Sequence, residues 1–405
     1  MTHHAEYAAD VAIVGAGLMG SAAAFFLRRR GRSVLLIERG LAGQQASGVN
    51  FGNVRRQGRP LRQLPLANRA SGWWRRMREL VGTDVEYLQY GHMRVCYRDR
   101  PERAAELEEY ARAARPLGLD LEIIGGAALR ERFPFLGPEV LAASYSAQDG
   151  HANPRLVAPA FARAARQLGA EVFENTTVAH LAKAGEDFRI TAEDGRIFRA
   201  PVVLITAGAW AQGLSGQVGE PVPLIGRGPT MCVTEPVLYS IRPSVGVSTP
   251  IERESVYFRQ IPRGNVIIGG STRGPVVPDL WRAYVQPQNT LSQLREVQRL
   301  APALARLNVI RVWSGIEGYT PDDMPVMGPS ERVSGLYYAF GFSGSGFQLG
   351  PGVGDVMAEL IDTGTTEVPL EDYRVGRFGG RGFPQPGDAA VTASDCADRS
   401  SLNVD

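Results

Sequence analysis

Short runs of consecutive apolar residues alternate along this chain with stretches in which apolar positions recur every three or four residues. The runs at 11–14, 34–37 and 202–206 are typical of strands buried on both faces of a parallel sheet. Residues 154–168 carry apolar side chains at helical spacing, which predicts an amphipathic helix. The pattern therefore predicts βαβ units.

The rest of the chain mixes helical and strand-like segments. Further helices are predicted at 21–30, 68–81, 100–117 and near 290–300. Further strands are predicted at 86–97, 141–146, 171–173, 230–234, 256–260 and 266–270, with a hairpin at 188–192 and 196–199. Nucleotide-type segments thus recur near 10–40, 150–210 and 330–370, and two β-rich inserts separate them.

A glycine-rich turn follows the first apolar run. Gly15, Gly17 and Gly20 fill the G-x-G-x-x-G pattern, which permits a tight turn, close approach of backbone to a pyrophosphate, and close helix packing. Glu38 ends the next strand, where an acid can accept hydrogen bonds from a ribose. This order predicts a dinucleotide site without distinguishing NAD from FAD. The alternative is a strand–turn–helix unit in which the glycines serve packing alone.

A second glycine-rich turn spans residues 341–352. It runs into a helix predicted to begin near Gly346, and the N–H groups and dipole of that helix would stabilise negative charge. The apolar face of this helix carries Leu349, Val353, Val356 and Leu360. The alternative is a glycine-softened loop ahead of a docking helix. Together the two turns indicate one flavin held from both ends.

The composition excludes several classes of function. The net charge is +2 and the one basic block, 28–30, lies at a helix end, so nucleic acid is not an expected partner. Residues 1–9 lack the apolar core of a signal peptide, and no run is long enough to span a membrane. The three cysteines are far apart, so we expect no disulfide framework or cluster site, and a cytoplasmic location.

Lysine and histidine are scarce. Lys183 is the single lysine and falls at a predicted hairpin tip, so a lysine base or Schiff base is not expected. No pair of the five histidines has metal-ligand spacing, so no metal site is predicted. His92 could reach a pocket from its strand; the alternative is a strand histidine whose hydrogen bonds are satisfied within the core.

Several landmarks occur in a characteristic order: the first turn and residues 45–53, 149–154, 206–210, 320–328 and 341–347. They resemble the FAD-dependent D-amino-acid oxidase/sarcosine oxidase superfamily over roughly residues 8–375. Within it, residues 313–322 and 341–352 are most similar to opine oxidase and D-hydroxyproline dehydrogenase β-subunits.

The resemblance implies a fold of class α/β plus β, the D-amino-acid oxidase/glutathione-reductase-like fold. A discontinuous Rossmann-like FAD-binding domain would comprise 8–84, 148–215 and 312–375. A β-sheet-rich substrate domain would comprise 85–147 and 216–311. Residues 376–405, rich in Gly, Pro, Ser and Asp, are expected to form a disordered tail.

The chemistry implied is oxidation of the C–N bond of an amino acid, imino acid or opine-like secondary amine. Hydride passes to flavin N5 and leaves an imine that water hydrolyses. A dehydrogenase of this type would need partner subunits carrying an iron–sulfur cluster or second flavin. The alternative is a flavin-binding protein with a structural or redox-sensing role and no amine turnover. An NAD-dependent dehydrogenase is disfavoured by the second glycine turn.

The resemblance also places cofactor contacts on this chain. Gly315 stands where monomeric sarcosine oxidases carry a flavin-linking cysteine, so non-covalent FAD is expected. Ile267 stands where they carry an oxygen-activating lysine, which favours a dehydrogenase. The implied FAD contacts are Gly15, Gly17, Met19, Gly20, Glu38, Arg39, Ala46, Ser47, Asn50, Gly52, Asn53, Val54, Val178, Ala207, Gly208, Trp210, Gly344, Ser345, Gly346, Phe347 and Gln348.

Substrate contacts follow from the same resemblance. Arg55 falls at the position of a carboxylate-binding arginine, although this arginine-rich loop could equally be a solvated surface. Tyr257 and Arg259 would lie on one face of a pocket-lining strand, the alternative being a surface pair. Glu317 replaces an arginine of many D-amino-acid and glycine oxidases, and would either meet a cationic group or never touch substrate. With Tyr319 and His92, these residues form the predicted catalytic set.

Overall fold

The computed structural model describes residues 5–378. Its helices are α1 Leu18–Arg29, α2 Ala46–Val49, α3 Leu64–Trp74, α4 Met77–Val81, α5 Glu102–Ala114, α6 Gly126–Arg132, α7 Pro154–Gln167, α8 Ala211–Gln217, α9 Pro287–Leu300 and α10 Gly346–Thr363. No helix among these residues has the length and apolar character needed to cross a bilayer.

The strands follow in chain order. They are β1 Glu6–Ala8, β2 Val11–Val14, β3 Val34–Ile37, β4 Asn53–Val54, β5 His92–Tyr97, β6 Glu122–Gly125, β7 Val140–Ser146, β8 Gly150–His151, β9 Glu171–Phe173, β10 Val178–Ala184, β11 Asp187–Ala192, β12 Ile197–Ala200, β13 Val202–Ile205, β14 Ile225–Pro236, β15 Ser244–Val247, β16 Val256–Gln260, β17 Asn265–Gly274, β18 Val276–Val277, β19 Arg282–Ala283, β20 Val309–Ser314, β21 Glu317–Tyr319, β22 Val326–Pro329 and β23 Leu336–Phe340.

A six-stranded sheet of order β22-β23-β13-β2-β3-β9 forms the centre of a three-layer unit. Its strands pair in parallel except β22, which is antiparallel to β23. Alternate β2 side chains face opposite layers: Val11 and Ile13 join the core formed with α1, α7 and α10, whereas Ala12 and Val14 face the sheet β1-β12-β11-β10. The continuous apolar runs therefore form strands covered on both faces.

A second, nine-stranded sheet has its own core. Its strands run in the order β20-β14-β17-β16-β15-β5-β7-β6, and β21 pairs with β14 outside that path. The core of this sheet includes Phe258 and Ile268 together with Val297 and Leu300 of α9. The sheet draws most strands from the two segments predicted as the substrate domain, but β21 and the end of β20 come from 312–375. The domain boundaries stay a prediction.

Two sequence-predicted elements are wrong in extent. The helix expected over 68–81 is two helices, α3 and α4, because the backbone leaves helical geometry at Arg76. The strand expected over 86–97 begins only at His92, since Glu86 and Gly91 adopt positive φ angles of 56° and 91°. Of the tail predicted over 376–405, residues 376–378 instead belong to the 3₁₀ helix Val375–Phe378, and 379–405 lie outside the described residues.

Close packing of α1 against α10 brings the N-termini of both helices to one place. A Cβ added at Gly354 of α10 would lie 2.5 Å from the Cβ of Ala22 and 2.6 Å from its carbonyl carbon. A Cβ at Gly350 would similarly overlap Leu18, and one at Gly346 would lie 2.7 Å from Cε of Met19. Three glycines one turn apart thus let the helices touch at backbone distance.

We predict that Gly354→Ala destabilises the protein by about 1–2 kcal/mol, because overpacking at Ala22 outweighs the gain in helix propensity. The matched control is Gly72→Ala in α3, where an added Cβ meets no atom within 4 Å. That variant should be neutral or more stable by up to about 1 kcal/mol. Denaturant unfolding of both variants measures the difference, and equal stabilities would contradict the packing argument.

Candidate active site

A cavity of about 650 Å³ lies between the two large sheets. The turn after β2, the ends of β3 and β13, residues 45–53 and residues 341–348 form one side of it. Strands β5, β16 and β17, with β21, contribute the other side. The cavity therefore collects residues that are far apart in sequence at the carboxyl ends of parallel strands, the usual ligand position in such sheets.

The first glycine turn is built for close approach. Gly15 has φ +107°, and an added Cβ would lie 2.7 Å from the carbonyl oxygen of Thr206 at the end of β13. The Thr206 hydroxyl donates to the Gly15 carbonyl at 2.7 Å, which ties the two strand ends together. Gly17 faces the cavity, and its nearest neighbour there is Oγ of Ser47. Backbone at Gly17 is thus open to a ligand.

Glu38 and Arg39 form one end of the cavity. The Glu38 carboxylate accepts the backbone N–H of Ala16 at 2.8 Å and that of Gly40 at 2.9 Å, which fixes both oxygens. The Arg39 guanidinium stacks between Trp210, 3.7 Å from its ring centroid, and Trp281 at 4.3 Å. Nη2 of Arg39 is buried without a hydrogen-bond partner among the described residues, so a ligand acceptor fits there.

Residues 45–53 cross the middle of the cavity. Ser47 Oγ accepts the backbone N–H of Leu18 at 2.9 Å and so caps the start of α1. Asn50 donates to the carbonyls of Ala46 and Ser47 and accepts the N–H of Gly52 at 2.8 Å. These bonds hold a short helical turn whose backbone lines the cavity.

The second glycine turn delivers the N-terminus of α10 to the same cavity. Gly341, Ser343 and Gly344 all have positive φ angles, which turn the chain sharply after β23. The first-turn N–H groups of α10 lack intrahelical partners. Arg59 donates from Nη2 to the carbonyl of Ser345 at 3.0 Å and lines the cavity beside it. Positive dipole and charge therefore converge on this point.

A cluster of cations occupies the wall beyond α10. Arg55 and Arg94 line the cavity with His92, and His92 and Arg94 share a face of β5. Burial first, and then the charge of Arg55, lowers the pKa of Arg94 to about 10 and that of Arg59 to about 9. Burial, followed by the charges of Arg55 and Arg94, holds the pKa of His92 well below 6.5, so this histidine is neutral.

Glu317 faces the cavity as part of a hydrogen-bonded chain with Tyr319 and Arg273. Tyr319 Oη donates to Glu317 Oε2 at 2.9 Å and accepts from Arg273 Nε at 2.9 Å. Burial raises the pKa of Glu317, although Arg273 and Tyr319 oppose that rise. Burial disfavours the Arg273 cation, yet the surrounding Tyr257, Tyr319 and Glu317 raise its pKa overall.

Most of the residues expected to contact cofactor or substrate line this one cavity. They are Gly15, Gly17, Met19, Glu38, Arg39, Ala46, Ser47, Asn50, Gly52, Asn53, Arg55, His92, Val178, Ala207, Gly208, Trp210, Tyr257, Glu317, Gly344, Ser345, Gly346, Phe347 and Gln348. Their individual contacts with a ligand stay predictions. Lys183 lies on a surface hairpin, where Nζ donates to the carbonyl of Glu186 at 2.7 Å.

Four expected site residues do not line the cavity. Gly20 is buried in α1, where a Cβ would overlap the Gly15 carbonyl, so it serves packing. Val54 is 3% exposed and belongs to the helical core. Tyr319 is buried behind Glu317. Arg259 also faces away from the cavity.

Arg259 positions the loop that carries Phe51. Its Nε donates to the Phe51 carbonyl at 2.7 Å, and Nη1 lies 3.2 Å from Nδ1 of His151. The side chain is 3% exposed, and burial lowers its pKa to about 10. Tyr257, on the same face of β16, packs edge-to-face on the Phe51 ring at 4.7 Å and reaches the cavity.

Sequence reasoning missed three cavity arginines: Arg59, Arg94 and Arg273. Arg94 could have been found, because it lies two positions after His92 on one strand and so shares its face. Arg59 belongs to the arginine-rich loop, of which only Arg55 was predicted to bind a ligand. Arg273 carries no local signal, since only the pairing of β17 with β14 brings it beside Tyr319.

Comparison with known proteins agrees with this geometry. The family model "DAO: FAD dependent oxidoreductase" matches residues 10–360. Glycine oxidase of Geobacillus kaustophilus is 28% identical over 92% of this chain and 98% of its own length, and so is one of the opine oxidase subunits of Rhizobium meliloti. The crystal structure of L-proline dehydrogenase from P. horikoshii superimposes with a TM-score of 0.85 and 26% identity, covering 92% of this chain and 98% of that one.

The chain belongs to the DAO family of FAD-dependent oxidoreductases. It is an FAD-dependent enzyme of the amine-oxidising type, acting on CH–NH donors, and the resemblance identified from the sequence is confirmed. The residues present fit the cofactor: two helix N-termini, the orphaned Nη2 of Arg39 and the Glu38 carboxylate line a single elongated cavity.

We predict that Glu38→Ala raises the Kd for FAD about tenfold or more, because a charged acceptor for the ribose is lost and two backbone N–H groups lose their partner. Titration of the apoprotein with FAD, followed by flavin fluorescence, measures this Kd. Glu186→Ala, on the exposed β10–β11 hairpin, is the matched control and should bind FAD as the parent does. An unchanged Kd in Glu38→Ala would remove this carboxylate from the cofactor site.

We also predict a pH dependence of stability from His92 and His151, whose pKa values burial lowers well below 6.5 in the folded protein. Their contribution is complete above the unfolded pKa and is lost as pH falls, because the unfolded chain then binds protons that the folded chain does not. Each histidine should cost about 1.4 kcal/mol per pH unit below about 6.5. Urea unfolding at several pH values should show a shallower slope for His92→Asn, but not for His180→Asn on the surface.

Proposed function

We propose that the protein oxidises the C–N bond beside a carboxylate in an amino acid, imino acid or opine-like secondary amine. When bound, FAD accepts the hydride of the substrate carbon at flavin N5 while the nitrogen releases its proton, and water hydrolyses the resulting imine to a carbonyl compound and an amine. The observation that carries this proposal is one cavity in which the glycine turns meet a wall of arginines.

Arg55 is proposed to bind the substrate carboxylate. Its Nη1 donates to the Gln57 carbonyl at 2.6 Å, which fixes the guanidinium plane and leaves its other donors for a ligand. Tyr257 lies nearby, since the charge of Arg55 acts on the pKa of its hydroxyl. Together these groups would orient the carbon whose C–H bond is broken.

Glu317 and His92 are proposed to act on the substrate nitrogen. Glu317 presents a carboxylate held by Tyr319, which suits an ammonium group. His92 is neutral, and its Nδ1 is buried without a partner among the described residues, so the ring can accept a proton from the nitrogen before oxidation. This assignment favours an amine over the simple D-amino acids that an arginine at the position of Glu317 would select.

The electron acceptor is proposed to be a partner protein rather than oxygen. Ile267 replaces the oxygen-activating lysine of similar oxidases, and the single lysine of the chain lies on the surface. The Rhizobium meliloti relative is by name one of several opine oxidase subunits, which supports assembly with iron–sulfur or flavin proteins. The buried free thiols of Cys96 and Cys232 fit the reducing cytoplasm that we propose as its location.

The FAD is proposed to be non-covalent. Gly315 takes the place of the linking cysteine, and a Cβ there would overlap the side chain of Val49. A cysteine at this position would therefore require the loop after α2 to move.

Anaerobic mixing of the holoprotein with amines tests the function. Sarcosine, D- and L-proline, D-hydroxyproline, simple D-amino acids and an opine form the panel. We predict that a secondary amine with a carboxylate bleaches the flavin band and that recovery in air is slow. Arg55→Gln should need about tenfold more amine for half-bleaching, whereas Arg62→Gln, exposed on the same loop, should not. No bleaching by any amine would support the non-catalytic flavin-binding alternative.

A further inference from the structure

We propose that the substrate, within the amine oxidation proposed above, carries two carboxylates flanking the nitrogen, as in an iminodicarboxylate. The cavity wall formed by Arg55, Arg59 and Arg94, called here the arginine wall, has more positive charge than one carboxylate can match. The inference rests on the proposed function for the position of the nitrogen, and on the contacts of these side chains for the charge.

The arginine wall lacks acidic partners. Among residues 5–378, no carboxylate lies within ion-pair distance of Arg55, Arg59 or Arg94. Their hydrogen bonds go to neutral acceptors: Arg55 to the Gln57 carbonyl, and Arg94 to Oγ of Ser248 at 3.3 Å. The guanidinium groups are therefore satisfied in part as donors but not in charge.

The nearest buried carboxylate is already committed. Asp149 is 1% exposed and lies 3.5 Å from Nε of Arg56, and it accepts the backbone N–H groups of Arg56 and Gln57. It thus neutralises Arg56 and fixes the loop. Its field reaches Arg55 and Arg59 but leaves the arginine wall with an excess of positive charge.

The opposite wall is internally balanced. Arg273 and Glu317 both bond to the hydroxyl of Tyr319, and their charges cancel at short range. This side can orient a nitrogen between a cation and an anion without demanding net charge from the ligand. The demand for negative charge therefore comes from the arginine wall alone.

Buried, unpaired cations are unfavourable unless a ligand compensates them. The depressed pKa values of Arg59 and Arg94 express the same repulsion. One carboxylate shared between Arg55 and Arg94 would still leave one of these charges, and that of Arg59, unmatched. A second carboxylate on the same molecule relieves the excess, and an amine placed between the two carboxylates would lie across from Glu317.

Two non-oxidisable probes separate this inference from the oxidation itself. Oxydiacetate has an ether oxygen in place of the amine and carries two carboxylates; its monoamide has nearly the same shape and carries one. Binding to the holoprotein is measured by perturbation of the flavin absorption band. We expect the Kd of oxydiacetate to be lower than that of the monoamide by about tenfold or more. Equal Kd values would overturn the inference.

Arg94→Gln locates the second carboxylate. This variant should raise the Kd of oxydiacetate about tenfold and bring it near that of the monoamide. Arg98→Gln removes the same charge from an exposed position just after β5 and should leave both Kd values unchanged. An unaltered oxydiacetate Kd in Arg94→Gln would contradict its place in the site, and the comparison of the two probes on the parent protein needs no variant to fold.

The amine panel distinguishes the two failures. Selective binding of oxydiacetate without bleaching by any amine would defeat the proposed oxidation but support the dianionic site. Bleaching by sarcosine and by iminodiacetate at similar concentrations, with no preference for oxydiacetate over its monoamide, would support the oxidation and defeat the dicarboxylate inference.

Discussion

Backbone-distance contact between α1 and α10 is the constraint on which the rest of the structure depends. Gly354 meets Ala22 with no room for a Cβ, and Gly350 meets Leu18 in the same way. Because the helices start on different strands of one parallel sheet, this contact brings their N-termini to the same edge. A larger residue at either glycine would separate the two positive helix ends that a dinucleotide flavin needs together.

The cavity has two electrostatically different ends. At the nucleotide end, charge is supplied mostly by helix termini and by Arg39, held between two tryptophan rings. At the far end, full charges of Arg55 and Arg94 stand in a partly desolvated wall opposite Glu317. Dipoles suit a cofactor that stays bound, whereas concentrated charge gives orientation to small anionic molecules that enter and leave.

The amino-acid sequence predicts the cofactor end better than the substrate end. Glycine motifs are local: the spacing of Gly15, Gly17 and Gly20 constrains a single turn, and Glu38 ends the next strand. Substrate residues come from separate strands whose register no local pattern states. Arg259 illustrates the difference, because its place on β16 was expected, yet its guanidinium turned to the Phe51 carbonyl instead of the cavity. Arg273 became visible only through its contact with Tyr319.

By itself, the sequence determined the strand–turn–helix units, the apolar core strands and the kind of cofactor, because these depend on short-range periodicity and on backbone freedom at glycine. It did not determine where α3 would break or where β5 would begin, since those limits depend on packing and on positive φ at Glu86. Only the tertiary structure decided which arginines share one wall and which are neutralised. Charge balance depends on distances between residues far apart in the chain, and those distances are set by the packing of the two sheets.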